Sequence, residues 1–345
     1  MNKWIASVSL SLVMGAAAQA EPVTLKFAHF WPTTAAAHTD FATDWTNQVT
    51  ECSNGDIQFE FHTGGSQLGK ITKLEEFTRA GLVDIAHGLN HVPRGRFPHA
   101  TVMDTPLLGR SAYANSKMLW TLYEEGLISA PYEGLQVLAI HSHNASILHT
   151  NDSKQIRVPE DMEGLRFRSA SESTGLALEA LGAVPVGLPA TETYEALAKG
   201  TAAGTFFPWE AVFAFKIAEV LDYHTEVPLI ASSFFFAMNE NKYNSLSEEH
   251  RACIDQASYA PLVDRFGTYW DEWDRPGRDL AIKGGNEIVT ISESEMALWE
   301  EALEPVIGTY LASLKEQGVE NIDDIYARAK DLVTEYQAEY ENRAQ

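Results

Sequence analysis

The amino-acid sequence predicts an α/β protein of about two domains. Strand-length and helix-length patterns alternate from Glu21 onward, as they do when helices cover both faces of a parallel or mixed sheet. The chain has 345 residues, 45% of them hydrophobic and 21% charged, which is ample for a core and suits roughly 100–200 residues per domain. No Pro/Gly/Ser linker, internal repeat or low-complexity segment interrupts it, so the chain is expected to cross between domains inside regular elements.

Val23 to Ala28 alternates as a strand, and after a loop Phe41, Trp45 and Val49 recur at i, i+4, i+8 on one helix face. Ile57 to His62 is a second alternating strand. A glycine turn at Gly64-Gly65 leads to a helix marked by Ile71, Leu74 and Phe77, and Val83 to Ala86 is a short buried strand. Leu135 to Ile140, Leu165 to Arg168 and Ala202 to Phe207 repeat the pattern. The apolar run Phe234 to Met238 suits a sheet centre, and helical spacing covers Leu246 to Tyr259, Leu262 to Ile282 and Glu293 to Leu314.

Residues 1–20 are set apart as a secretory leader. Lys3 is its basic start, Ile5 to Ala17 its apolar stretch, and Ala18-Gln19-Ala20 a small-x-small cleavage site, so cleavage is expected after Ala20 and the mature protein is expected to be soluble and exported. The formal net charge of −23 and the absence of any Lys or Arg run exclude non-specific nucleic-acid binding. Export allows Cys52 and Cys253 to pair. The spacing leaves two outcomes open, two separate buried thiols or one disulfide.

The common catalytic signatures HExxH, GxSxG, GxxxxGK[ST] and GxGxxG are absent. His87 and His91 bracket Gly88 and lack a glutamate, while His141 and His143 share one face of a strand. Neither pair has the further ligands of a metal site, and no metal or cofactor is expected. The informative segment is Gly164-Leu-Arg-Phe-Arg-Ser-Ala-Ser-Glu172. Period two separates Leu165 and Phe167 from Arg166 and Arg168, and Ser169-x-x-Glu172 reads as a capping box. Arg168 then ends a strand just before a helix N-terminus, where open α/β sheets bind ligands and a guanidinium grips a carboxylate with two hydrogen bonds. A surface arginine paired with one of the many acids is the alternative. Phe207 and Trp209 sit at another strand-to-helix junction and Phe30 and Trp31 at the first, where side chains line clefts; Phe213 and Phe215 read as core.

These residues resemble the periplasmic solute-binding subunits of tripartite ATP-independent periplasmic (TRAP) transporters, DctP type. The similarity is carried by Gly65-Ser-Gln-Leu-Gly69, Ala80-Gly-Leu-Val-Asp-Ile85, Phe97-Pro…Asp104-Thr-Pro-Leu107, Val158-Pro-Glu-Asp-Met-Glu-Gly-Leu-Arg-Phe-Arg168, Leu181-Gly-Ala-Val-Pro185 and Tyr194-Glu-Ala-Leu197. The resemblance implies a two-domain periplasmic-binding-protein clamshell (type II-like) with a long helix spanning both domains, and no catalysis. On that fold residues 21–143 with 233–272 form domain I, residues 144–232 with 273–300 domain II, and residues 301–345 helices packing across both. It also implies a monomer that delivers a small organic acid to TRAP membrane permease subunits, with Arg168 holding the carboxylate. Asn90, Asn144, Ser146 and Ser233 are placed at the ligand by the family's loops.

Two departures narrow the ligand. Many sialic-acid and dicarboxylate binders have Asp-Gly-Gln-Glu-Asn-Pro where this chain has Ala203-Gly-Thr-Phe-Phe-Pro208, so Phe207 replaces a ligand-contacting asparagine; a second family arginine falls at Ser146. What remains suits a monocarboxylate, an aromatic acid ahead of a betaine-like zwitterion, for which Glu210 is the one acid placed to assist a cation. The rivals are an exported metal-dependent or acid/base enzyme, using His141 and His143 or Glu210 with Arg168, and the binding subunit of an ATP-driven importer.

Overall fold

The computed structural model describes residues 22–151 and 155–343, so the expected leader and its cleavage point lie outside the described residues. The first lobe begins with β1 (Val23–His29), α1 (Thr43–Cys52), β2 (Ile57–His62), α2 (Leu74–Arg79), β3 (Ile85–Leu89), α3 (Ala112–Glu124) and β4 (Leu135–Ser142). The second holds β5 (Ser146–Thr150), β6 (Arg166–Ser169), α4 (Glu172–Ala180), β7 (Val184–Gly187), α5 (Thr193–Ala198), β8 (Gly204–Phe207), α6 (Trp209–Ala214) and β9 (Tyr223–Ile230). The chain then returns with β10 (Ser233–Asn239), α7 (Glu240–Asn244) and α8 (Glu248–Gln256), crosses on α9 (Tyr259–Gly284), adds β11 (Glu287–Val289), and ends in α10 (Glu293–Glu316) and α11 (Ile322–Arg343).

Each lobe has its own mixed sheet, five strands ordered β2-β1-β3-β10-β4 and six ordered β11-β9-β5-β8-β6-β7. The apolar run Phe234 to Met238 lies in β10, antiparallel to both β3 and β4, and every residue of that strand is buried because elements cover both faces. In β1 the alternation holds at first, with Leu25 and Phe27 inside and Thr24 and Lys26 outside. Beyond Ala28 every residue through Trp31 is buried, because there the strand runs into the space between the lobes.

Two short stretches carry the chain across, between Ser142 and Ser146 and between Ile230 and Ser233, and they are tied together. Ser142 Oγ donates to the Ser232 carbonyl at 2.9 Å, and the Ser232 N–H donates to His143 Nε2 at 3.1 Å. The third crossing is α9, whose 26 residues span about 39 Å. Phe266 and Trp270 in its first half join the first-lobe core, and Ala281 near its end joins a second-lobe cluster. α10 crosses as well, burying Trp299 and Leu303 in one lobe and Tyr310 and Leu314 in the other.

Two local expectations change, and one open alternative is decided. The helix at β6 is capped by Ser171, which accepts from the Thr174 N–H, two residues beyond the Ser169 expected from the motif; Ser169 is still in the strand. The pattern from Leu246 to Tyr259 is α8 alone, started by Ser247, with Tyr259 opening α9. Cys52 and Cys253 are joined as a disulfide with Cα atoms 5.6 Å apart, linking α1 to α8.

Candidate functional site

A cavity of about 580 Å³ of atom-free space, counting its open mouth, lies between the two lobes. The first lobe supplies Phe30 and Trp31 from the end of β1, Phe234 from β10 and Trp270 from α9. The second supplies Arg168 from β6, Phe206 and Phe207 from β8, and Glu210 from the first turn of α6. The site therefore sits at the carboxyl ends of strands from two sheets, where an α/β architecture leaves backbone and loops free to face a ligand.

The cavity is an aromatic box. Phe30 stacks on Trp31 with ring centroids 4.0 Å apart, Trp31 stacks on Phe234 at 5.7 Å, and Trp270 lies 5.5 Å from Phe234. Across from them Phe207 stacks on Phe215 at 6.1 Å. The guanidinium carbon of Arg168 lies 4.7 Å from the centre of the Phe207 ring, a cation–π contact that also fixes the arginine's plane.

Arg168 is only 3% exposed, and its Nε donates to the Leu188 carbonyl at 3.0 Å. Among the described residues no carboxylate forms an ion pair with it, so burial alone acts on the group and lowers its pKa to about 9. It remains a cation at neutral pH. A buried, unpaired guanidinium is costly unless an anion completes it, and a carboxylate matches its two-pronged donor geometry.

Glu210 is the acidic group on the lining. It is 2% exposed, its Oε1 has no hydrogen-bond partner, and burial, reinforced by the nearby Asp274 charge, pushes its carboxyl up to about 8. Asp274 anchors the start of α6, accepting from the Glu210 N–H at 2.7 Å and from Asn144 Nδ2 at 2.8 Å. His143 also lines the cavity. Its Nε2 accepts from Ser232 and its Nδ1 donates to the Asn144 carbonyl at 2.5 Å; burial brings its pKa down to about 4, so it is neutral.

Of the residues singled out from the sequence, Phe30, Trp31, Ser146, Arg168, Phe207 and Glu210 come together on this cavity. Trp209 does not. Helical rotation turns it about 100° from its neighbour Glu210, and its ring packs 5.3 Å from His149 and 4.8 Å from His224 in the second-lobe core. Asn90 and Ser233 are also off the lining: Asn90 Nδ2 donates to Ser233 Oγ at 2.9 Å and Asn90 Oδ1 accepts from Tyr132 at 2.7 Å, a closed network inside the first lobe. Asn144 pins α3 to α9, accepting from the Ala112 N–H at 2.6 Å while donating to Asp274. Phe213 is 39% exposed and Phe215 lines the cavity, so neither is the core residue its spacing indicates.

The histidine pair of the enzyme alternative is divided. His141 Nε2 bonds His87 Nε2 at 2.6 Å and its Nδ1 accepts from Trp270 at 3.2 Å, whereas His143 is held by Ser232 and Asn144. Sequence reasoning missed Phe234 and Trp270. Both belong to strongly apolar elements, β10 and α9, whose pattern reads as core because the same strand and helix do fill the core along most of their length.

The family Bacterial extracellular solute-binding protein, family 7 (DctP) matches residues 27–314. The C4-dicarboxylate-binding periplasmic protein DctP of Rhodobacter capsulatus is 26% identical over 308 residues, 88% of this chain and 90% of that protein. A marine-metagenome TRAP solute-binding protein specific for aromatic acid ligands, solved with 3-hydroxybenzoate, aligns with a TM-score of 0.87 at 32% identity, covering 92% of this chain and 99% of that one. A TRAP solute-binding protein from Rhodoferax ferrireducens, solved with copurified benzoate, gives a TM-score of 0.86 at 29% identity over 92% of this chain and 99% of its own. With a two-lobed fold, an interlobe cavity and a family match over most of its length, this chain belongs to the DctP family, the periplasmic solute-binding proteins of TRAP transporters.

Proposed function

We propose that this protein captures a small aromatic monocarboxylate in the periplasm and delivers it, as a monomer, to its TRAP membrane permease. The observation that carries this reading is Arg168, a buried cation without a protein counter-ion, set in a box of aromatic rings. It is the only arginine or lysine on the lining among the described residues; of the two lining histidines His143 is neutral and His91 faces Asp104 at 3.2 Å, so the one permanent cation left for a ligand suits a single carboxylate rather than a C4 dicarboxylate. Ring faces around the rest of the cavity suit an aryl group, whose transfer from water is favoured at about 25 cal/mol per Å² buried. The aromatic-acid ligands of the two solved relatives agree with this chemistry.

A betaine-like zwitterion is the less suitable guest. Aromatic faces would attract its cation, but the carboxyl of Glu210 is protonated at neutral pH and offers it no counter-charge. The deciding experiment is calorimetry with benzoate, mandelate, succinate and glycine betaine, alongside mass spectrometry of small molecules released from the purified protein. Benzoate or mandelate binding with succinate and betaine silent is the expected result. Tight binding of succinate or betaine with the aryl acids silent would overturn the proposal.

A further inference from the structure

Glu210 is an unusual residue to find in an aromatic box. Its lining neighbours in sequence, Phe207, Pro208 and Ala211, have apolar side chains, and among the described residues no group hydrogen-bonds its Oε1. One carboxyl oxygen, Oε1, is buried and unpartnered, while the residue's backbone N–H is already committed to Asp274. Asp274 is itself engaged by that N–H and by Asn144 Nδ2. Packing does not explain the carboxyl, because an alanine or leucine would bury the same place without an orphaned polar atom. The favourable position of an acid in the first turn of a helix does not explain it either, since that benefit requires the ionised form and this carboxyl is held protonated at neutral pH by burial and by Asp274.

A protonated carboxyl presents an O–H donor and a carbonyl acceptor side by side. A hydroxyl group presents the complementary acceptor and donor, whereas a bare C–H edge leaves both oxygens unsatisfied and a second carboxylate finds only one donor. Arg168 and Glu210 do not pair with each other, so they stand as separate polar anchors on one apolar cavity.

We propose that Glu210 is a specificity-determining residue that hydrogen-bonds a hydroxyl group on the body of the ligand while Arg168 holds its carboxylate, so that the preferred solutes are hydroxylated aromatic acids. This rests on the aromatic-monocarboxylate reading and adds the position that distinguishes one such acid from another. Sites built to hydrogen-bond a hydroxyl discriminate strongly against the analogue lacking it, because the site's buried polar group is then left unpaired.

The test is calorimetry at pH 7 with benzoate, 3-hydroxybenzoate, 4-hydroxybenzoate and 3-(aminomethyl)benzoate on the wild-type protein, Glu210→Gln and Glu210→Leu, read as the ratio of each affinity to that for benzoate in the same protein. At least one hydroxybenzoate is expected to bind wild type about tenfold or more tighter than benzoate. That ratio should collapse to within about threefold in Glu210→Leu and largely survive in Glu210→Gln, which keeps one donor and one acceptor. A hydroxyl preference absent from wild type, or intact in Glu210→Leu, overturns the assignment. So does tighter binding of the aminomethyl acid, which would make Glu210 an ionised counter-charge. Should Glu210→Leu fail to fold, Glu210→Ala takes its place, with the same collapse expected and the same intact preference overturning the assignment. Benzoate binding without a hydroxyl preference sinks only this inference; silence of every aryl acid sinks the aromatic-acid reading and takes this one with it.

Discussion

Trp209 and Gly277 meet backbone to backbone: a Cβ built at position 277 would lie 1.9 Å from the Trp209 carbonyl oxygen. This contact seats α6, and with it Glu210, on the long helix that joins the lobes. Gly277→Ala is therefore expected to force the two helices apart, lowering stability by about 1–3 kcal/mol and weakening aryl-acid binding. Gly308→Ala is the control, since nothing lies within 4 Å of a Cβ there and α10 would gain helix propensity. Urea unfolding and benzoate calorimetry of the two variants check it; equal behaviour would show that the α6–α9 seat is more compliant than its geometry indicates.

Arg168 should oppose stability and binding to one another. Arg168→Lys keeps the charge but loses the planar fork, and binding of benzoate is expected to fall by about 2–5 kcal/mol. Arg168→Met should abolish binding while raising the ligand-free melting temperature, because it removes a buried cation that no protein carboxylate neutralises. A less stable ligand-free Arg168→Met protein would mean that the bond to Leu188 and the Phe207 contact outweigh the desolvation penalty.

Fluorescence should report occupancy through particular rings. Of eight tryptophans, Trp31 and Trp270 line the cavity and Trp209 does not. Titration with benzoate is expected to change the emission of wild type and of Trp209→Phe similarly, and to change that of Trp31→Phe and Trp270→Phe much less. A signal lost only in Trp209→Phe would place the ligand elsewhere.

Acid should unfold this protein early. Burial holds His29 down to about 3, and His143 and His224 down to about 4, with His87, His141 and His149 also well below the usual 6.5. These rings stay neutral in the fold but take up protons in the unfolded chain below 6.5, so their stability contribution is complete above that pH and is lost as pH falls toward the folded values. Each contributes up to about 1.4 kcal/mol per pH unit. Glu210, raised to about 8, and Asp274, raised to about 6, act with the opposite sign but are outnumbered between pH 6.5 and 5. The urea midpoint is expected to drop steeply between pH 7 and 5.5; a constant or rising midpoint would contradict the burial of these rings.

The sequence by itself determined what local spacing can encode. The α/β alternation, the apolar β10, the arginine at the end of β6 and the aromatic residues after β1 and at the end of β8 follow from period-two and period-3.6 patterns and from where strands give way to helices. Motif order along nearly the whole chain carried the family resemblance. Local pattern could not decide which face of a mixed element meets the cleft. Trp209 and Glu210 are adjacent in sequence, yet one turns into the second-lobe core and the other into the cavity, because α6 is oriented by Asp274 and by the missing side chain at Gly277. Trp270 lies on a helix and Phe234 on a strand whose apolar faces are mostly core, and only the approach of the second lobe makes them lining. The disulfide and the closed networks of Asn90 and Asn144 are likewise decided by contacts between segments far apart in sequence. Periodicity carries no information about these, since they depend on how elements are set against each other rather than on how each one forms.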